Sequence, residues 1–206
     1  TRLPVPGAQG VATPADHGRA VPWYPAAGAV IGLLLAASGF ILQGLPAALN
    51  AVLLVALWTG LTGAIHLDGV ADSADGYMGG HGDRERILAI MRDRSPGVGA
   101  VVAVVLVLLG KAVASACVIS DQAWGALLAA PVLGRAALVA VMTITPYARG
   151  EGLASGPSQH VDRAAAAGSV LLALLAGMLL TGGDGLMLAV VLILFALLLR
   201  AFFKRT

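Results

Sequence analysis

Charge is scarce in this chain. Asp, Glu, Lys and Arg make up 12% of its 206 residues, whereas 58% are apolar and the mean hydropathy is +0.88. A soluble domain of that length needs far more polar residues to cover its surface. A water-solvated globule is therefore excluded, and a bilayer is the natural solvent. Cysteine is nearly absent too: Cys117 is the only one and sits inside an apolar run, which excludes a disulfide framework and leaves the redox compartment open. Residues 1–22 are Pro- and Gly-rich without an apolar h-region, so no cleavable signal peptide is expected. The chain starts at Thr1 rather than Met, and its natural N-terminus is expected further upstream. Neither the ten-residue alternation of a membrane β-barrel nor a convincing internal repeat is present.

What is abundant is long apolar blocks. A bilayer core of about 30 Å takes about 20 helical residues to cross. Six segments are expected to do so: 26–45, 47–66, 98–119, 123–144, 168–183 and 186–203. Pro25 and Pro46 bracket the first, and Gly182-Gly183 separates the last two. The fifth is short and is expected to borrow residues from its flanks. Helices alone satisfy their own backbone in lipid, so the expected fold class is all-α, a polytopic membrane helix bundle. The whole of 1–206 is read as one membrane-embedded catalytic domain with a polar catalytic loop at 67–97.

The sparse basic residues set the orientation. With six spans, the N-terminus, the loops 67–97 and 145–167, and the C-terminus share one side. They carry Arg2, Arg19, Arg84, Arg86, Arg92, Arg94, Arg149, Arg163, Arg200, Lys204 and Arg205, eleven of the thirteen Lys and Arg residues. The three opposite connections carry none. The positive-inside rule thus predicts a cytoplasmic N-terminus and cytoplasmic polar loops, in the cell's inner (cytoplasmic) membrane.

The densest chemistry is His66-Leu-Asp68-Gly-Val-Ala-Asp72-Ser-Ala-Asp75-Gly76. At about 100° per residue, Asp68, Asp72 and Asp75 fall at roughly 0°, 40° and 340°, one narrow helical face. Three carboxylates so close repel one another unless a cation joins them. Hard oxygen donors without cysteine suit Mg²⁺, Mn²⁺ or Ca²⁺ rather than zinc. The plain alternative is a solvated acidic loop. Further on, Asp83 is a predicted N-cap, and Ile87, Leu88, Ile90 and Met91 form the apolar stripe of a short amphipathic helix. That helix would return Asp93 toward the first three carboxylates, with Arg84, Arg86, Arg92 and Arg94 as fork-shaped donors to phosphate or to anionic lipid headgroups. Lys111 and Arg135 lie inside spans, where a charge costs about 3 kcal/mol on insertion scales. They are expected to face a substrate phosphate or to pair with a buried carboxylate. Arg149 and Glu151, in PYARGEG at 146–152, would complete a rim on the same side.

Together, HLDGVADSADGYMGG at 66–80 and DRERILAIMRD at 83–93 resemble the cobalamin synthase family, adenosylcobinamide-GDP ribazoletransferase. Supporting matches are TRLPVPG at 1–7, WYPAAGAVIG at 23–32, Lys111, Arg135 and PYARGEGL at 146–153. The resemblance implies a Mg²⁺-dependent transfer: a ribose hydroxyl of α-ribazole, or of its 5′-phosphate, attacks the cobinamide-side phosphorus of adenosylcobinamide-GDP and displaces GMP. The implied metal ligands are Asp68, Asp72, Asp75 and Asp93, with His66 orienting a ligand or taking the hydroxyl proton. The implied contacts to pyrophosphate or departing GMP are Arg84, Arg86, Lys111, Arg135 and Arg149. Partners are these small molecules and the bilayer; no nucleic acid is expected, and the oligomeric state stays open. The chain departs from the family at Asp93-Arg-Ser-Pro-Gly97, where members read close to Asp-Ser-Arg-Ile-Gly. Members also continue past a Lys204-Arg205-Thr206 equivalent into a Gly-rich segment and an apolar helix. CDP-alcohol phosphotransferases are the nearest enzymatic alternative, but their Asp-x-x-Asp-Gly-x-x-Ala-Arg order is not kept here. A transporter is the non-enzymatic one, although its ionisable groups would sit nearer the midplane.

The Asp72→Asn variant is expected to insert into membranes normally and to lose turnover. Wild-type rates in that variant would refute the metal assignment.

Overall fold

The computed structural model describes residues 13–93, 95–145 and 160–182, together with the single positions 184, 187, 190, 191, 194 and 197. Among these residues the structure is helical, with no strand. The helices are α1 (Pro14–Ala20), α2 (Tyr24–Ile41), α3 (Ala47–Thr62), α4 (Ile65–Gly80), α5 (Arg84–Ile90), α6 (Val98–Ser120), α7 (Trp124–Ile144) and α8 (Arg163–Thr181), with a 3₁₀ turn at Val21–Trp23. They fall into two compact units. One is Ile41–Gln122, carrying α3 to α6; the other combines the described residues of Val5–Phe40 and Ala123–Phe203.

In the second unit, Thr13 and Asp16 close a capping box that starts α1. The helix then runs on, so that Ala15–Ile41 is one helical stretch, polar at its start and apolar over a length that can span a bilayer. Gly28 lets α2 approach α7 closely: a Cβ there would lie 2.5 Å from the carbonyl oxygen of Pro131. Val21, Val139 and Ala166 form a buried cluster with Tyr24, Met142, Val161 and Val170 packed on it, which joins the start of α2 to α7 and α8. Pro131 lies inside α7. Its carbonyl accepts a 3.2 Å hydrogen bond from the Arg135 guanidinium one turn later.

In the first unit, α6 packs against both α3 and α4, and α5 packs on α4. Much of α6 is left uncovered by protein; Val98, Leu106 and Val113 are each well over half exposed. An apolar helix exposed in this way is what lipid, rather than water, covers.

Ala15–Ile41, Val98–Ser120, Trp124–Ile144 and Arg163–Thr181 are each long and apolar enough to span a membrane. They match four of the expected spans, with two shifts. The first runs from Ala15 to Ile41 rather than over 26–45. The fifth begins at Arg163 rather than 168, because Asp162 caps it by accepting the N–H groups of Ala164 and Ala165. The expected span 47–66 needs a larger correction. Its helix stops at Thr62, Gly63 and Ala64 both adopt left-handed φ (66° and 57°), and α4 leaves at 90° to α3. Gly63 is suited to that turn; Ala64 is not, and it is held by its N–H bond to the Thr59 carbonyl. The apolar run continues through Ile65, so hydropathy alone does not see the elbow. The segment 67–97, expected as a loop, is mostly the two helices α4 and α5. The sixth expected span, 186–203, lies largely outside the described residues, although Met187, Val190, Val191, Leu194 and Leu197 are helical.

Candidate active site

The aspartates lie on α4, a helix built largely from small residues. Ser73 turns its hydroxyl back to the Gly69 carbonyl at 2.7 Å, so the side chain occupies no space beyond the helix. One side of α4 carries Asp68, Asp72 and Asp75 at the spacing that places them on one face. A neighbouring side near its end carries Gly76, Gly79 and Gly80. The helix stops where His81 and Gly82 take left-handed φ of 50° and 83°.

Asp83 then starts α5, its carboxylate accepting the N–H groups of Glu85 at 2.9 Å and Arg86 at 3.2 Å. This is the cap expected from the sequence. The predicted apolar stripe also has its partner: Ile87, Ile90 and Met91 pack onto the glycine side of α4. A Cβ at Gly76 would lie 2.8 Å from Met91 Cγ, and one at Gly79 2.8 Å from Ile90 Cδ1. Glycine is needed here for closeness rather than for backbone freedom.

That packing turns the end of α5 back toward the aspartates. A cleft of about 370 Å³ results, lined by Asp68, Asp72, Asp75 and Asp93 and closed by Met91, Arg92 and Pro96 among others. Asp68 and Asp93 are exposed, whereas Asp72 and Asp75 are half-buried. Asp93 also accepts the Ser95 N–H at 3.1 Å, which fixes the turn that leads into α6. Asp75 reaches that helix directly, accepting the N–H groups of Gly97 and, at 2.8 Å, Ala100. Among the described residues, no three His, Cys, Asp or Glu side chains converge as a ready-made metal cage. The donors are hard oxygens around one cleft, which suits a cation that keeps water or substrate oxygens among its ligands.

The other expected site residues fall elsewhere. His66 and Lys111 are not among the residues lining the cleft. They meet each other at the α3–α4 elbow, Lys111 Nζ lying 3.2 Å from His66 Nε2 and 3.9 Å from the centre of the Trp58 ring. An ammonium only donates, so Nε2 carries the lone pair and Nδ1 the hydrogen, which points toward Thr62 Oγ1 at 3.4 Å. Trp58 and Thr62 were not singled out from the sequence; Thr62 lies four residues before His66, and Trp58 joins the group through the Lys111 ammonium. Arg84 and Arg86 are exposed in the first turn of α5, outside the cleft lining, whereas Arg92 is part of it. Arg135 belongs to the other compact unit. Arg94, Arg149 and Glu151 lie outside the described residues.

The family model described as cobalamin-5-phosphate synthase matches residues 1–206. The adenosylcobinamide-GDP ribazoletransferase of Pseudomonas entomophila strain L48 is 48% identical over 175 residues, covering 85% of this chain and 71% of the relative. That of Pseudomonas putida strain KT2440 is 46% identical over 180 residues, covering 87% and 75%. The enzyme of Stutzerimonas stutzeri strain A1501 is 44% identical over 194 residues, covering 94% and 79%. No solved structure matches the chain.

The α4–α5 contact generates a direct test. A side chain at Gly80 must displace Ile87 of α5. Gly80→Leu is therefore expected to move Asp93 away from the cleft and lower turnover by about a hundredfold, the scale of an ångström's misplacement. Membrane insertion should be unchanged. A purified Gly80→Leu protein with the wild-type rate would show that α5 does not build the site.

Proposed function

Because the chain belongs to the cobalamin-5-phosphate synthase family, we propose that it joins α-ribazole to adenosylcobinamide-GDP, releasing GMP, as the last step of coenzyme B12 assembly. With α-ribazole 5′-phosphate as acceptor, the product is the 5′-phosphate of the coenzyme. The ribose hydroxyl oxygen forms a bond to the cobinamide-side phosphorus, the bridging P–O bond breaks, GMP takes the electron pair and the hydroxyl loses its proton. The observation that carries this reading is the gathering of four aspartates around one cleft where α5 and α6 each pack on α4.

The cleft's volume of about 370 Å³ lies at the small end of ligand sites. It suits the reacting pyrophosphate and the acceptor hydroxyl, and it leaves the corrin outside. A pyrophosphate and a ribose hydroxyl that must lose its proton meet beside four carboxylates, and this needs positive charge. We assign that role to Mg²⁺, which one or two of the cleft aspartates Asp68, Asp72 and Asp93 would hold, with water and substrate oxygens as its other ligands. When bound, such an ion neutralises the phosphate oxygens and lowers the barrier to losing the hydroxyl proton. Mg²⁺ commonly takes one or two carboxylates and completes its shell with water and substrate phosphate, which agrees with an open arrangement of donors. Arg92, on the cleft wall, is placed to donate to a phosphate oxygen. Positioning and charge neutralisation carry most of the catalysis in reactions of this class.

His66 and Lys111, held together at the elbow, act on the site through the placement of α4 rather than by reaching the cleft. The basic-residue asymmetry supports a cytoplasmic face for α4 and α5 in the inner membrane, where a GDP-activated substrate is met.

Incubating the detergent-purified protein with adenosylcobinamide-GDP, α-ribazole and Mg²⁺ is expected to release GMP, and omission of the metal to abolish it. GMP release no higher than in the Mg²⁺-free control, with CMP released from a CDP-alcohol instead, would overturn the assignment.

A further inference from the structure

The four cleft aspartates are not equivalent. Helix α6 begins at Gly97, which has no side chain with which to cap it, so its first N–H groups need an acceptor from elsewhere. Asp75, on another helix, supplies it twice: one carboxylate oxygen accepts the Gly97 N–H and the other the Ala100 N–H. These are the N-cap and N3 amides, the pair that a capping box satisfies from within its own helix. Here one carboxylate on α4 does both tasks across more than twenty residues of sequence.

The surrounding residues are shaped for it. A Cβ at Gly97 would lie 2.8 Å from Asp75 Oδ1, and one at Gly99 would lie 3.0 Å from the same oxygen and 2.6 Å from Met78 Sδ. Both glycines are needed for the carboxylate to reach the helix end. The partial positive charge of that end, about half an elementary charge, already offsets part of the Asp75 charge and opposes a cation at the same oxygens.

We propose that Asp75 is a positioning residue rather than a metal ligand: it docks the start of α6 onto α4 and so fixes the Pro96–Ala100 wall of the cleft. Asp68, Asp72 and Asp93 are left to hold the ion. The metal half of this proposal rests on the function proposed above; the docking half does not.

Two measurements on the full-length protein test it, with Asp72→Asn as the comparison. The first is hydrogen exchange at the Gly97 and Ala100 amides. Asp75→Asn keeps one acceptor and loses the charge, and is expected to speed exchange there by about tenfold, the consequence of a lost cap. Asp72→Asn should leave it unchanged. The second is Mn²⁺ binding in the presence of GDP, followed by electron paramagnetic resonance. Asp72→Asn is expected to weaken it by about tenfold or more, and Asp75→Asn far less. Gly97→Ser in an Asp75→Ala background gives α6 its own cap, and should restore both amide protection and part of the turnover.

Equal loss of Mn²⁺ in the Asp75 and Asp72 variants would overturn the proposal, as would unchanged exchange in Asp75→Asn. Restored protection with no recovery of turnover would also overturn it. If the wild-type protein binds no Mn²⁺ in the cleft, the metal reading fails, and exchange at α6 alone decides the role of Asp75.

Discussion

Like charges confined to one helical face set the terms for the rest of the first unit. Asp68, Asp72 and Asp75 share a side of α4, and the turn after α5 adds Asp93 to the same cleft. Carboxylates at such spacing repel one another, and positive charge brought near them offsets that repulsion. The fold supplies some of it without any side chain, by aiming the start of α6 at Asp75. The rest is left for a cation and for Arg92 on the cleft wall. Small residues on α4 and at the start of α6 give the closeness that makes this work: the glycines at 76, 79 and 80 let α5 lie against α4, and those at 97 and 99 admit a carboxylate to the end of α6.

The bilayer imposes the second constraint. Spanning helices must bond their own backbone and show apolar sides to lipid, which α6 does over much of its length. A polar, aspartate-bearing helix cannot simply continue an apolar span. The elbow at Gly63 and Ala64 separates the two by turning the chain 90°. Lys111 marks the place from the facing helix, its ammonium held between the His66 ring and the face of Trp58. A charge within an apolar helix is tolerated when it is given such partners.

Much of this was legible in the sequence because it depends on local rules. Long apolar blocks located four spans, two of them nearly to their ends, the three-and-four spacing put the aspartates on one face, and Asp83 was readable as a cap. Asp93 returned to the cleft because the stripe of Ile87, Ile90 and Met91 needed an apolar partner. What was not legible depends on pairs distant in sequence. The elbow lies within a continuous apolar run, so periodicity and hydropathy pass over it. The meeting of Lys111 with His66 and Trp58 joins α6 to the α3–α4 elbow, and no local pattern shows it. The bond from Asp75 to the start of α6 also leaves no local trace except glycines where a capping residue would be usual. Arginines were the least readable of all, because a guanidinium reaches far and serves topology, lipid and substrate equally well.

The central claim is that a cation sits among Asp68, Asp72 and Asp93 while substrate phosphate completes its shell. Anomalous scattering from crystals of the full-length protein grown with Mn²⁺ and GDP tests this most directly. The account predicts a manganese peak inside the cleft, with carboxylate oxygens of at least two of these aspartates and a phosphate oxygen around it. A peak away from the cleft, or GDP bound with no metal among these aspartates, would contradict it.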